Sequence, residues 1–557
     1  MNGPPAPALP QARRPSDLQS FSGKRISSGY RRLNTPEALT ACNKWSYFPS
    51  AEQRFIPLRG EVVAGASGPE GAVAAVADRD WRLIVGGRSR QADGGRTYDV
   101  ECPATEAPLA AAPDASASDV DEAVRAGADA VSSWRALDIR ERARRLRALA
   151  EAVREHAEEL ALLDALDSGN PVSAMRNDVA WGAEVLDLFA GFASHLGGST
   201  VPASPENLHF TRRSPFGVVA RIVPFNHPLF FAAAKIAAPL MAGNAVVLKP
   251  SDITPLSALR LAEIASGILP PGVLSTITGD GPAASSALVR HPLIRRIGFI
   301  GSERVGRLIQ RDAAEVGVKD ISLELGGKNA LIVCPDADLD AAATGIVNGM
   351  NFAWSAGQSC GSTSRVLLHS SIAEKVLPLV RERVDAIRIG SPVAPETQMG
   401  PLASRAQYDK ALQYIDVALA EGATLFHGGQ RPQGEGFGRG HYLEPTIFTD
   451  VRPGMRIAQE EVFGPVMSVL TYTDLDEAVA IANGVDYGLT ASIWTRDVST
   501  ALSLVDRVEA GYVWVNGSSR HFWGMPFGGT KASGIGREES IEEMLSYTEL
   551  KAVNVLV

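Results

Sequence analysis

From Gly217 to Leu325 the chain alternates short β-branched runs with longer helical ones. Val218 to Val223, Ala245 to Leu248, Leu274 to Ile277, Arg296 to Ile300 and Ile321 to Leu323 read as strands. Leu229 to Met241, Leu256 to Ala265 and the segments after Pro282 and Glu303 read as helices. At roughly 25 to 30 residues per unit, this pattern predicts an α/β fold with a parallel sheet and crossover helices. Such sheets take nucleotides beyond the carboxyl ends of their strands, so chemistry is expected just after each strand. A second α/β unit is expected from the strand Asn329 to Val333, the helix after Asp340, and strands near Val366, Val466, Ser492 and Val513.

The pattern begins at Trp81, with a strand-like Leu83 to Val85 closed by Gly86 and Gly87, followed by two long helical stretches. In the second, Asp138 precedes Glu141 like a capping box, Leu146, Leu149, Val153, Ala157 and Leu160 mark one face, and Gly169 with Pro171 stops it. Before Trp81 there is no sustained apolar period but nine prolines and seven glycines, the texture of a disordered extension. At the other end, Lys551 to Val557 reads as a strand in need of a partner, such as one from another subunit.

Composition narrows the function. Hydrophobic residues make up 45% and charged residues 21% of 557, ordinary globular usage, and the net charge of −9 argues against nucleic acid or an anionic membrane as the main partner. The longest apolar run, Leu229 to Leu248, contains Lys235, Pro239, Gly243 and Asn244 and fails as a membrane span. Four cysteines without short repeated spacing give neither a disulfide scaffold nor a metal site. A soluble protein of a reducing, cytoplasmic compartment is the expectation.

Cys42, Cys102 and Cys334 read as inert thiols. Cys360 differs, because Gly357-Gln358-Ser359-Cys360-Gly361-Ser362 surrounds it with small residues that leave it accessible. The same string spells G-x-S-x-G around Ser359, but a nucleophile elbow needs a strand before and a helix after, the reverse of what the pattern predicts here. A nucleotide-independent Ser or Cys hydrolase is therefore the lesser alternative. Glu324 ends a strand before Leu325-Gly326-Gly327-Lys328, a place suited to a general base, or else to an ordinary pair with Lys328. Asn226, on a Pro-bounded turn, offers two amide donors to an oxyanion, or is a plain turn residue. Lys249 and Asp252, at a strand's end, could grip ribose hydroxyls, and Ser302, at a helix start after Gly301, could meet phosphate.

In this order the motifs resemble those of the aldehyde dehydrogenase superfamily from about Trp81 to Val557: P-F-N (Pro224 to Asn226), L-K-P-S (Leu248 to Ser251), G-S-x-x-x-G (Gly301 to Gly306), L-E-L-G-G-K (Leu323 to Lys328) and G-Q-x-C (Gly357 to Cys360). E-E-x-F-G-P (Glu460 to Pro465), Y-G-L (Tyr487 to Leu489) and P-F-G-G-x-K-x-S-G-x-G-R-E (Pro526 to Glu538) follow. Ile300 and Ser285 depart from the usual Thr and Gly. The resemblance implies oxidation of an aldehyde to its carboxylate with NAD, NADP being the alternative that Asp252 disfavours. Cys360 would be the nucleophile, Glu324 the base that hydrolyses the thioester, and Asn226 with the Cys360 N–H the oxyanion hole. Cofactor positions would be Val223, Pro224, Phe225, Lys249, Ser251, Asp252, Gly281, Gly301, Ser302, Leu325, Glu461 and Phe463. His227, Trp354, Ser359, His521 and Phe527 would line or flank the aldehyde tunnel, with Arg520 and Trp523 close by, which suits an aromatic or moderately polar aldehyde. Residues 1–80, the disordered extension read from composition, have no counterpart in the family's core; for the rest the resemblance implies a Rossmann-like NAD-binding domain from 81–194 and 216–325, a catalytic domain over 326–536, and a small β oligomerisation element from 195–215 and 537–557, in a homodimer or homotetramer.

Overall fold

Strands Val218–Ile222 and Ala245–Lys249 are buried at every position, so neither face can be polar. Such strands need helices on both sides, the arrangement of a parallel sheet. The computed structural model describes residues 75–557, and the first sheet runs, edge to edge, Leu274–Thr276, Ala245–Lys249, Val218–Ile222, Ile294–Ile300 and Asp320–Glu324, all parallel. The first of these in sequence, Val218–Ile222, lies in the middle. The winding therefore reverses between it and Ile294–Ile300, and a crevice opens there above the carboxyl ends. Antiparallel Leu83–Val85 and Arg88–Arg90 extend one edge; Gly534–Ile535 closes the other beside Glu324. That last strand comes from the span expected to belong wholly to the second domain.

The second sheet has five neighbouring parallel strands, Val466–Tyr472, Arg365–His369, Ala330–Val333, Thr490–Trp494 and Tyr512–Val515, with Thr446–Thr449 and antiparallel Thr424–His427 beyond the first of them. The fold is thus the expected α/β class, a Rossmann-like lobe joined to a second α/β lobe and a small β element.

Several local expectations need correction. Residues 75–80 belong to the packed body: Val76 is buried and its carbonyl accepts from the Trp81 indole at 3.1 Å, while Arg79 pairs with Glu159 at 3.3 Å. The rest of the expected extension, with Cys42, lies outside the described residues. The long helix from Asp138 is two, Ile139–Glu155 and Ala157–Ser168, broken at His156. Asp138 does cap, through the Arg140 N–H, but Glu141 turns to Arg145 instead of closing the box. A hairpin of Thr97–Cys102 and Ala107–Pro113, which the sequence reading did not include, precedes the helices; only its first strand alternates. Finally, the C-terminal strand Thr548–Val555 finds its partner in its own chain, pairing antiparallel with Leu208–Pro215 from Thr548↔Pro215 to Val555↔Leu208. Eight successive pairs satisfy that edge without a second subunit, and they join the two spans expected to form one element.

Candidate active site

The loop that carries Cys360 is over-determined by its backbone and neighbours. A single helical turn, Phe352–Ser355, lies between Asn351 and Ala356, both left-handed at φ 57° and 50°. Non-glycine residues there are strained, and such strain persists only where surroundings enforce it. Gly357, at φ 73°, turns so close to the Gly464 carbonyl that a Cβ would strike it. Beyond the turn, the Asn329 amide donates to the carbonyls of Cys360 (2.7 Å) and Ser362 (2.9 Å), while Gln358 spans the Ser355 carbonyl and the Ala403 N–H. The half-buried Cys360 packs against the apolar cluster containing Leu489, Tyr512 and Phe527. Its backbone N–H donates to no acceptor among the described residues. Ser359 is half-buried beside it, with a helix before and a strand after, the context that disfavours a nucleophile elbow.

Glu324, at the end of Asp320–Glu324, is 4% exposed and faces the Cys360 thiol. Burial first, then the charge of Glu538, pushes its carboxyl well above the usual range, against the opposing effect of the thiol and Lys235. Burial and the nearby Glu324 charge push the Cys360 thiol up in turn. The anticipated alternative, a pair with Lys328, is not formed: Lys328 Nζ has no partner among the described residues, and burial beside Arg365 brings it down to about 7. Glu324 Oε1 is buried without a hydrogen bond among the described residues. An orphaned acceptor of this kind, beside a thiol, is placed to hold and deprotonate a water.

Asn226 follows Val223-Pro224-Phe225 past the end of the central strand, where Asn170 Nδ2 holds its carbonyl at 2.8 Å. The Asn226 carboxamide has no side-chain partner among the described residues, so its donors are unspent. Next to it His227 begins the helix Pro228–Met241, and its ring lies edge-on to Trp354 at 5.5 Å, which brings this turn to the helical turn before Cys360.

The proposed cofactor positions cluster as the sheet predicts. Val223, Pro224 and Phe225 follow the central strand; Lys249, Ser251 and Asp252 follow the next; Gly281 lies beyond Leu274–Thr276; Gly301 and Ser302 follow Ile294–Ile300; Leu325 follows Glu324. Lys249 is a buried ammonium with carbonyls for company, Pro250 at 3.1 Å and Gly279 at 3.5 Å, and no carboxylate in salt-bridge range. Ser302 caps the helix Glu303–Val316, leaving that N-terminus beside the crevice. Glu461 and Phe463 reach in from the second lobe: Gly327 N–H donates to Glu461 Oε1 at 2.9 Å, and Phe463, left-handed at φ 55°, meets Phe225 edge-on at 5.8 Å.

The anticipated tunnel residues join through ring contacts. Trp354 packs on Trp181 at 4.7 Å, Trp181 approaches Trp523 at 6.4 Å, Trp523 approaches His521 at 6.1 Å, and His521 lies on Phe527 at 4.7 Å. Arg520 turns away, over exposed Phe522. Sequence reasoning missed Trp181 and Phe230, and also the carboxylates that hold the histidines, Asp178 and Glu539. Asp178 had a signal: it shares the buried face of Val172–Gly191 with Met175, Val179 and Gly182, an odd place for an unpaired acid. Glu539 had none.

The aldehyde dehydrogenase family model matches residues 90–553. The aldehyde dehydrogenase tropH of Talaromyces stipitatus is 48% identical over 449 residues, covering 79% of this chain and 87% of that one. Among solved structures, the NAD+ complex of an aldehyde dehydrogenase from Bacillus cereus superposes with TM-score 0.84 at 37% identity, over 88% of this chain and 99% of that one. Betaine aldehyde dehydrogenase from Staphylococcus aureus in complex with NAD+ gives 0.84 at 34%, over 87% and 97%. With the switch-point crevice and the cysteine loop facing a buried glutamate, these likenesses show that the chain belongs to the aldehyde dehydrogenase family.

Proposed function

We propose that this enzyme oxidises an aromatic or moderately polar aldehyde to its carboxylate with NAD+, through a thioester on Cys360. The observation that carries the reading is the accessible Cys360 thiol facing Glu324, whose Oε1 is buried and unpartnered. Cys360, as thiolate, attacks the carbonyl carbon; the Asn226 carboxamide and the Cys360 N–H, both without acceptors among the described residues, hold the oxygen as it gains charge. The crevice residues fit a dinucleotide: Lys249, which has no carboxylate partner among the described residues, and Asp252 would hold ribose hydroxyls, the Ser302-capped helix would hold phosphate, and Glu461 would hold the second ribose. Bound there, NAD+ supplies the hydride acceptor. Glu324 then takes a proton from water, which attacks the thioester carbon and releases the acid with Cys360 as leaving group. Asp252 sets a negative charge where a 2′-phosphate would lie, which favours NAD over NADP.

The same reading assigns 81–194 and 216–325 to cofactor binding and 326–536 to catalysis, in a cytoplasmic homodimer or homotetramer. Among the described residues no helix is long and apolar enough to cross a membrane. The paired spans 195–215 and 537–557 leave Leu208, Leu550 and Leu556 exposed, apolar surface suited to another subunit.

The test is formation of NADH, followed by absorbance, in the wild type and Cys360→Ala. We expect absorbance to rise only with both aldehyde and NAD+, and the variant to be silent. Ester cleavage that needs no nucleotide and survives Cys360→Ala would establish the hydrolase instead.

A further inference from the structure

Two histidines of the aldehyde pocket are each anchored by a buried carboxylate. His227 Nδ1 meets Asp178 Oδ2 at 2.8 Å, the Asp178 side chain being 1% exposed; His521 Nδ1 meets Glu539 Oε2 at 2.8 Å, with Glu539 at 4%. The imidazoles themselves remain reachable, at 13% and 30%. Both stand on the aromatic chain described above, one beside Asn226 and the other against Phe527, which packs on Cys360. Glu539 also lies near enough to the nucleophile for its charge to push the thiol up. It is left-handed at φ 64° while buried, a conformation its surroundings must enforce.

A carboxylate on Nδ1 draws a ring proton to that nitrogen, which leaves Nε2 as the acceptor. Neither Nε2 has a protein partner among the described residues. The pocket therefore offers two fixed acceptors set among the faces of Trp354, Trp181, Trp523 and Phe527. A flat ring suits those walls, and acceptors left unmet in such a place cost binding.

We propose that His227 and His521 are specificity-determining residues that accept hydrogen bonds from a hydroxyl on the substrate, so that the preferred substrates are hydroxylated aromatic aldehydes. The proposal rests on the aldehyde-oxidising reading above and deepens its substrate class. Asp178 and Glu539 act through the histidines, as positioning residues.

The experiment measures kcat/KM with NAD+ for hexanal, benzaldehyde, its 2-, 3- and 4-hydroxy derivatives, the matched methoxy derivatives and 4-carboxybenzaldehyde, in the wild type and in His227→Phe, His521→Phe, Asp178→Asn and Glu539→Gln. In the wild type, the best hydroxy isomer should exceed its methoxy partner about tenfold or more, since a site built to bond a hydroxyl rejects the analogue that lacks one. In His227→Phe or His521→Phe, and in the variant of its carboxylate, that ratio should fall toward one. Within one variant the ratio cancels the amount of active enzyme, so poor folding alone cannot produce the result. A wild-type ratio near one, with benzaldehyde turned over, overturns this proposal and leaves aldehyde oxidation standing. A preference for the carboxylate substrate overturns it too, since protonated imidazoles would then be donors. If aliphatic aldehydes reduce NAD+ and no aromatic one does, the aromatic substrate class falls with it.

Discussion

Glu324 makes Cys360 harder to ionise, and that effect can be measured on the free enzyme. The Glu324 charge pushes the thiol up, so removing the charge must let the thiolate form at lower pH. The rate of iodoacetamide alkylation of Cys360, followed against pH, should have its midpoint lower in Glu324→Gln than in the wild type; superimposable profiles would separate the two groups. Cys360 was legible in the sequence because its neighbours are small, and Glu324 because it closes an apolar run before glycines. Glu539 was not, since a carboxylate that serves a histidine 18 residues away leaves no mark on its own segment; Asp178, 49 residues from its histidine, showed only as an acid on an otherwise apolar helix face.

At the scale of elements, the parallel strands could be read because burial on both faces makes them uniformly apolar, and their carboxyl ends located the crevice. The Thr97–Cys102 hairpin was passed over: its first strand alternates exposed with more buried positions, but its partner Ala107–Pro113 is mostly alanine with Pro108 and Pro113 and shows no alternation. The break at His156 could not be read, since no Pro or Gly announces it. The partner of the last strand depends on a segment more than 300 residues earlier, beyond any local signal. The loop that presents Cys360 yields a sharper expectation. Gly357→Ala puts a Cβ into the Gly464 carbonyl at a left-handed position. Urea unfolding should show a loss of about 1–3 kcal/mol, together with loss of turnover; unchanged stability would mean the loop is less constrained than its contacts indicate.

The whole molecule is closed by a buried charge cluster that binds residues after 537 to the first sheet. Glu538 meets Arg221 at 3.0 Å and Lys235 at 2.9 Å, all three almost wholly buried, with Glu543 and Tyr547 alongside. Despite burial, the two cations hold Glu538 down to about 2. A carboxyl depressed on folding adds stability above its unfolded range, near pH 4.3, and that part is lost as pH falls toward about 2. Arg221→Met, which leaves Glu538 with Lys235 alone, should cost about 3 kcal/mol by urea unfolding near neutral pH, and adding Glu538→Gln should recover part of it. Additive losses would show that the pair is not coupled. The account as a whole, however, stands or falls on the thioester. Glu324→Gln should allow the acyl group to form and then slow its hydrolysis. Peptide mass spectrometry of that variant, quenched after mixing with aldehyde and NAD+, should find the acyl mass on the peptide bearing Cys360 and on the cysteine itself. An adduct on Ser359, or no adduct with turnover undiminished, would contradict it.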